Sequence, residues 1–199
     1  YFRSHEYYAS GDWRATWELD GGGALMNQGV HGLDLILHLM GPAKRVSAIC
    51  RRLVRNLEVE DTAVAIVEYA NGALGVLEGT TSVTPGSGCE VEISGDDGTV
   101  GLSGDTITKW KFPGSDEEQK AEDAAAEGTA TDPLALAATG HTEHIRDLCQ
   151  AIIEDRDPAI PGREARRAVE LIKAIYKSSR EGGAPVELPL SYVDDGPGI

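Results

Sequence analysis

Between residues 23 and 40, "GALMNQGVHGLDLILHLM", most positions are apolar, and Asn27, His31, Asp34 and His38 interrupt them at intervals of four, three and four. At about 100° per residue those four side chains fall within roughly 60° of one another. The spacing predicts a helix over 23–40, apolar round most of its circumference, with one polar stripe. Gly41-Pro42 supplies a strong stop, and Asp20, ahead of three glycines, is the candidate N-cap. Gly29 and Gly32 fall on the far side of the wheel, where each costs about 1 kcal/mol relative to alanine. Close approach of another backbone is the expected compensation.

After Pro42 the period drops to two. "RVSAICRRL", "DTAVAIVEYA" and "ALGVLEGTTS" read as strands, the last two flanking Asn71-Gly72, a strong hairpin signal. "CEVEISG", "TVGLSG" and "TITKWKF" follow as short strands between tight turns, which makes an antiparallel meander. "HTEHIRDLCQAIIEDR" carries a helical stripe of Ile145, Leu148, Cys149, Ile152 and Ile153. "GREARRAVELIKAIYKSSREGG" is a second helix, with Ala168, Leu171, Ile172, Ile175 and Tyr176 on one face, Tyr176 reading as core, and Gly182-Gly183 as its end. "APVELPL" reads as a short edge strand. Residues 4–19 read as an ordered aromatic loop, and 113–138, acidic and without pattern, as a long mobile loop. The expected fold class is α+β: a predominantly antiparallel, open-faced sheet with helices on one face, residues 1–199 forming a single domain.

The strand alternation has a consequence for assembly. Val64, Ile66 and Glu68 share one face of their strand, and Ala65, Val67 and Tyr69 the other. Both faces are mostly apolar, yet the few helices can cover only one. An uncovered apolar face of that size usually meets a partner, so a homodimer or homotetramer through the open sheet face is expected.

Composition narrows the function classes. The net charge of −15 argues against a nucleic-acid or anionic-membrane surface, which needs clustered Lys and Arg. No apolar run reaches the roughly 18 residues of a membrane span. There is no basic n-region ahead of an apolar h-region, so no signal peptide is read. The opening "YFRSHEYY" is not a natural start, and a fragment or processed piece is expected. Cys50, Cys89 and Cys149 are odd in number and far apart, which suits neither a disulfide framework nor a zinc knuckle. A reducing, cytoplasmic setting is the default. No stretch fits G-x-G-x-x-G: the glycines at 95, 98, 101 and 104 have the wrong spacing and lie between strands, so the chain has no dinucleotide fingerprint of its own.

Three readings compete for the polar stripe. His31 is a catalytic acid/base, with Asn27 one turn earlier positioning the same substrate atom. Alternatively His31, Asp34 and His38 hold a metal; no cysteine or further carboxylate completes such a set, and no metal is expected. In the third reading His31 is a core histidine satisfied by Asp34. Elsewhere, Trp13 and Arg14 lie in the loop leading to the helix, where an arginine can hold a carboxylate or phosphate; loop packing is the alternative. Glycines 21–23 could offer free N–H groups to an anion, or form a tight turn over the helix. His141 and His144 open a later helix, and His141 either borders the site or caps.

The stretch "WRATWELDGGGALMNQGVHGLDLILHLMG" resembles the second domain of the Gfo/Idh/MocA oxidoreductases, the glucose–fructose oxidoreductase and inositol dehydrogenase family. The likeness continues through "EDTAVAIVEYANGALGVLEGTT", "ISGDDGTVGL", "HTEHIRDLCQAI" and "PGREARRAVELIKAIYKSSREGGAPVELP", nearly the whole chain. It implies an α+β substrate-binding and oligomerisation domain of an NAD(P)-dependent enzyme acting on a sugar, sugar derivative or polyol hydroxyl. NAD or NADP would be bound mainly by an N-terminal Rossmann domain that is absent from this chain, as is the family's catalytic lysine. By this resemblance His31 matches the catalytic histidine. Asn27 stands where many members have aspartate, and an amide can orient a hydroxyl but cannot take its proton. Asp34 is implied to orient the helix or His31, and His38 to pack. The alternative function is a non-catalytic dimerisation or small-ligand module that keeps the fold.

Overall fold

A computed structural model describes residues 1–104, 106–114 and 139–191. A short helix α1 (His5–Ala9) is capped by the Ser4 hydroxyl, which accepts from the Tyr7 amide at 3.2 Å. Turns follow, then a π-helical turn (Leu25–Gly29) that runs into helix α2 (Val30–Met40). Strands β1 (Ala43–Arg51), β2 (Thr62–Tyr69), β3 (Leu74–Thr80), β4 (Glu90–Ser94), β5 (Thr99–Ser103) and β6 (Thr106–Lys111) come next. Helices α3 (Thr139–Glu154) and α4 (Gly162–Arg180) and the two-residue strand β7 (Val186–Glu187) complete the order. The expected loop over 113–138 lies outside the described residues apart from its first two. The aromatic stretch 4–19 contains one helical segment, α1, where only loop was expected.

The strands form antiparallel sheets of order β3-β2-β1-β7 and β4-β5-β6. The α+β class holds, with the strand run divided between two sheets. Period 2 sorts β2 cleanly: Ala63, Ala65, Val67 and Tyr69 are buried, and Val64 and Ile66 stand out in solvent. The Asn71-Gly72 turn forms as the sequence indicates. Gly72 has φ +89°, donates to the Tyr69 carbonyl, and the Asn71 side chain accepts from the Ala73 amide at 2.9 Å. The same side chain donates to the Met40 carbonyl at 3.1 Å, satisfying one of the open carbonyls at the end of α2.

Helix α4 lies along β1 and supplies most of the core. Leu171, Ile172, Ile175 and Tyr176 are buried against Val46, Ala48 and Cys50 of β1 and Leu33 and Leu37 of α2. Each buried Leu or Ile contributes about 1.5–3 kcal/mol. Because β7 is short, β1 would be left with unpaired amides beyond it. Ser178 Oγ accepts from the Ala48 amide at 2.9 Å and Ser179 Oγ from the Cys50 amide at 2.8 Å, so serines of α4 stand in for the missing strand.

Helix α3 departs from expectation. Its apolar residues Ile145, Leu148, Ile152 and Ile153 are exposed, and Ala151 is its one buried residue among those described. Helical period fixes which residues share a face; it does not say what covers that face.

Candidate functional site

The polar stripe sits on a helix that begins unlike an ordinary one. Asp20 is not its N-cap. Its carboxylate instead accepts from the Ala15 amide at 2.8 Å and from the Asn27 side-chain amide at 3.2 Å. The cap comes from Glu60, which is fully buried. One carboxylate oxygen accepts from the Gly23 amide at 3.0 Å, and the other from the Leu25 amide at 2.9 Å and the Tyr176 hydroxyl at 2.9 Å. The Glu60 main-chain carbonyl accepts from the Ala24 amide between them at 3.1 Å. Burial pushes the Glu60 carboxyl above its ordinary value, against the pull of those donors. Burial and the neighbouring Glu60 charge likewise raise Tyr176, and burial pushes the Cys50 thiol up to about 12.

This contact explains the glycine run. A Cβ on Gly23 would lie 1.9 Å from the Glu60 carbonyl oxygen, and one on Gly22 would lie 2.4 Å from the Tyr176 hydroxyl. No side chain fits at either position. The amides of Gly23 and Leu25 are engaged, so the run is a tight turn and not a cradle for an anion. Gly32 is explained differently from expectation: its Cβ would meet the Cys89 sulfur at 2.8 Å, a side chain where a backbone was expected.

The π-helical turn closes through the Gly29 amide on the Ala24 carbonyl, 2.7 Å away and five residues back. It takes one residue more per ring than an α-helix, so the uniform wheel does not hold at Asn27. Asn27 is half-buried, and its carbonyl oxygen accepts from the Gln28 side chain at 3.0 Å. Its amide is thus fixed at both ends. His31, Asp34 and His38 follow as an exposed line along α2. Among the described residues the exposed His31 side chain makes no hydrogen bond, so neither burial in the core nor a bond from Asp34 orients it. His38, expected to pack, is exposed because the stripe faces away from α4 and the sheet. Among the described residues no three His, Cys, Asp or Glu side chains gather as a metal-holding group.

In the loop ahead of the helix, the Arg14 guanidinium lies 4.3 Å from the ring centres of both Tyr7 and Trp13. It also donates to the Tyr7 hydroxyl at 2.9 Å and to Ser10 Oγ at 3.0 Å. Trp13 is 43 % exposed. His141 is exposed in the first turn of α3, and no hydrogen bond among the described residues holds it toward α2. A cavity of about 580 Å³ lies on the other side of α2, between Gly29, Gly32 and Ile36 and strands β3 and β4. Asn27, His31 and Asp34 do not line it. The polar stripe is therefore an open face and not the wall of this cavity.

Residues 1–188 match the family model described as "Oxidoreductase family, C-terminal alpha/beta domain", of the Gfo/Idh/MocA group. Among solved structures the chain is similar to the WlbA dehydrogenase from Bordetella pertussis in complex with NADH and UDP-GlcNAcA, at 33 % identity and TM-score 0.77, over 96 % of this chain and 52 % of that one. It is similar to the WlbA dehydrogenase of Chromobacterium violaceum, in complex with the same two molecules, at 35 % identity and TM-score 0.77, over 96 % and 53 %. A levoglucosan dehydrogenase in complex with NADH and levoglucosan shares the fold at 20 % identity and TM-score 0.72, over 89 % and 53 %. The chain spans about half the length of these relatives.

Proposed function

The chain belongs to the Gfo/Idh/MocA oxidoreductases, matching their C-terminal alpha/beta domain, and from that premise we propose that it forms the substrate side of an NAD(P)-dependent dehydrogenase acting on a hydroxyl of a sugar, sugar derivative or polyol. The observation that carries this reading is His31. It stands exposed on α2, one turn after an Asn27 whose amide is fixed by Asp20 and Gln28.

The nicotinamide, when bound, supplies the hydride chemistry. The 199 residues lack its glycine fingerprint, and where a glycine run meets a helix start the amides of Gly23, Ala24 and Leu25 are committed to Glu60. The cofactor's phosphates do not fit this turn, and a Rossmann domain of the kind the family resemblance implies would hold them. This chain's residues handle the proton. His31 takes it from the substrate hydroxyl as that carbon is oxidised, or returns it in the reverse direction. Asn27 orients the hydroxyl, and Asp34 borders it. Arg14, flanked by Tyr7 and Trp13, is a fixed cation suited to a carboxylate or phosphate on the substrate. His141 is a further candidate contact.

UDP-GlcNAcA is bound in two relatives above 30 % identity, which supports testing nucleotide-linked sugar acids first. The test is nicotinamide reduction by the full-length protein with UDP-linked sugar acids, free sugars and polyols. Turnover of one of these classes is expected; no turnover with any, in either direction and with NAD or NADP, overturns the reading.

Association follows from the open sheet face. Ile49, Val64, Ile66, Leu74 and Val76 are exposed there, with Ile49 opposite Val64 and Ile66 opposite Val76. A second copy burying that face gives the homodimer or homotetramer. Ile66→Lys combined with Val76→Lys should convert it to monomer at tens of micromolar by light scattering. A wild-type protein that is already monomeric there would refute the interface. None of the described helices is long and apolar enough to cross a membrane. The cysteines Cys50, Cys89 and Cys149 are all free, in keeping with the reducing, cytoplasmic setting proposed for it.

A further inference from the structure

We propose that Glu60 is a positioning residue for the proton-transfer site, holding the wide turn that presents Asn27 and His31. The inference rests on the reading of His31 as acid/base.

Three consecutive amides, those of Gly23, Ala24 and Leu25, all donate to Glu60, the outer two to its carboxylate and the middle one to its carbonyl. The carbonyls of the first two of those residues accept from the turn that follows. Gly23 accepts from the Asn27 amide at 3.1 Å, and Ala24 accepts from the Gly29 amide at 2.7 Å. Glu60 therefore fixes the peptide units from which the turn carrying Asn27 hangs, and α2 with His31 continues directly from that turn. Tyr176 fixes the carboxylate in its place by donating to it from α4. The arrangement leaves no slack. Gly22 and Gly23 lie too close to Tyr176 and Glu60 for any side chain.

An ordinary α-helix needs no such device, because its first turn is set by its own backbone and a local cap. A π-helical turn has a competing α-helical arrangement; here the Asn27 amide already reaches four residues back, and the Gly29 amide would reach Leu25 in place of Ala24. Pinning the amides of residues 23–25 from outside selects the wide arrangement. A shift to the α-helical one would rotate Asn27 and His31 relative to each other. A misplacement of about 1 Å is enough to cost on the order of a hundredfold in rate.

The test uses the full-length enzyme with Glu60→Gln, Glu60→Asp and Tyr176→Phe, below their melting temperatures, with His31→Ala alongside. Glutamine can accept from one of the two side-chain-bound amides and confronts the other with its own N–H. It should lower kcat at least tenfold per folded molecule and raise the primary deuterium isotope effect on kcat, because chemistry then limits turnover. The KM for the nicotinamide cofactor should stay within twofold. Glu60→Asp, one methylene short, should fall the same way. Tyr176→Phe leaves both amides on the carboxylate and should lower kcat only two- to fivefold, with the isotope effect rising in step. A role confined to stability would shift the melting temperature and leave kcat and the isotope effect unchanged, and that result in a folded Glu60 variant overturns the proposal. If neither Glu60 variant folds, wild-type kcat and isotope effect in Tyr176→Phe overturn it instead. Should His31→Ala keep its turnover, the acid/base reading falls. Should it lose turnover while the Glu60 variants keep theirs, only the positioning role falls.

Discussion

Replacing His31 by alanine in the full-length enzyme should lower kcat at least a hundredfold and leave the KM for the nicotinamide cofactor unchanged. A hydroxyl that loses hydride must also lose its proton. A positioned base is worth roughly 10²–10⁴-fold, or about 3–5 kcal/mol at 1.36 kcal/mol per decade. The exposed position of His31 makes the experiment clean: the side chain lies outside the core, so its loss should leave the melting temperature within about a degree or two. Asn27→Ala should cost less in kcat and more in KM, since the amide positions and cannot transfer a proton. It also frees Asp20 and Gln28, so some loss of stability accompanies it. His38→Ala, on the same exposed line and about two helical turns beyond His31, should leave both turnover and stability near wild type. Steady-state kinetics with thermal denaturation on the three variants decides. Full kcat in His31→Ala together with its loss in His38→Ala would mean that the wrong histidine of the stripe carries the chemistry.

The local elements of this fold were legible because their signals are local. Asn71-Gly72 between period-2 runs specified the hairpin, Gly41-Pro42 ended α2, and the Ala168–Tyr176 stripe gave the buried face of α4. That His31, Asp34 and His38 share one line of α2 followed from their period; that the line is exposed did not, since period says nothing of what covers a face and His38 was expected to pack. What stayed hidden depends on partners far along the chain. "GGG" followed by an apolar helix invites a local cap, and Asp20 was the nearest acid; the real cap is Glu60, 35 residues beyond Leu25. The adjacent acids Glu60 and Asp61, at the mouth of an apolar strand, were the available hint. A carboxylate is costly to bury unless donors surround it, and nothing in "EVEDTAV" points to the distant amides of Gly23 and Leu25 that do so. The π-helical turn had no signal in the wheel, which assumes one period throughout. The division into two sheets was equally invisible, since period 2 reports a face and not a neighbour.

Asp61→Asn should be the most damaging conservative change in the domain. Asp61 is fully buried, and its carboxylate accepts from the amides of Leu53, Val54 and Arg55 at 2.9, 2.9 and 3.0 Å and from the Thr62 hydroxyl at 3.1 Å. It is thereby the knot that gathers the connection between β1 and β2. An asparagine of the same shape has one acceptor oxygen. Whichever way it turns, at least one backbone amide faces its N–H₂ group, and each buried donor left unsatisfied costs about 1–3 kcal/mol. A loss of about 2–4 kcal/mol is expected, out of a total of about 5–15, lowering the melting temperature by about 5–15 °C. The pH dependence carries the same signature. Burial pushes the Asp61 carboxyl up, but the amides of Leu53, Val54 and Arg55 and the Thr62 hydroxyl outweigh it and hold the group below the ordinary aspartate value. The unfolded chain then takes up this proton before the native one. Stability from Asp61 is complete above the ordinary value of about 4 and is lost as the pH falls through the lower native value. Glu60 works with the opposite sign. Its native carboxyl lies above the ordinary value, so between that raised value and about 4.3 the native state takes the proton first and gains stability as the pH falls. Urea midpoints measured from pH 7 to pH 3 should therefore hold or rise on mild acidification and drop steeply below about pH 4. In Asp61→Asn the steep acid limb should flatten, because the group that titrates there is gone. Two curves displaced by a constant amount over the whole range would show that Asp61 does not set the acid limit.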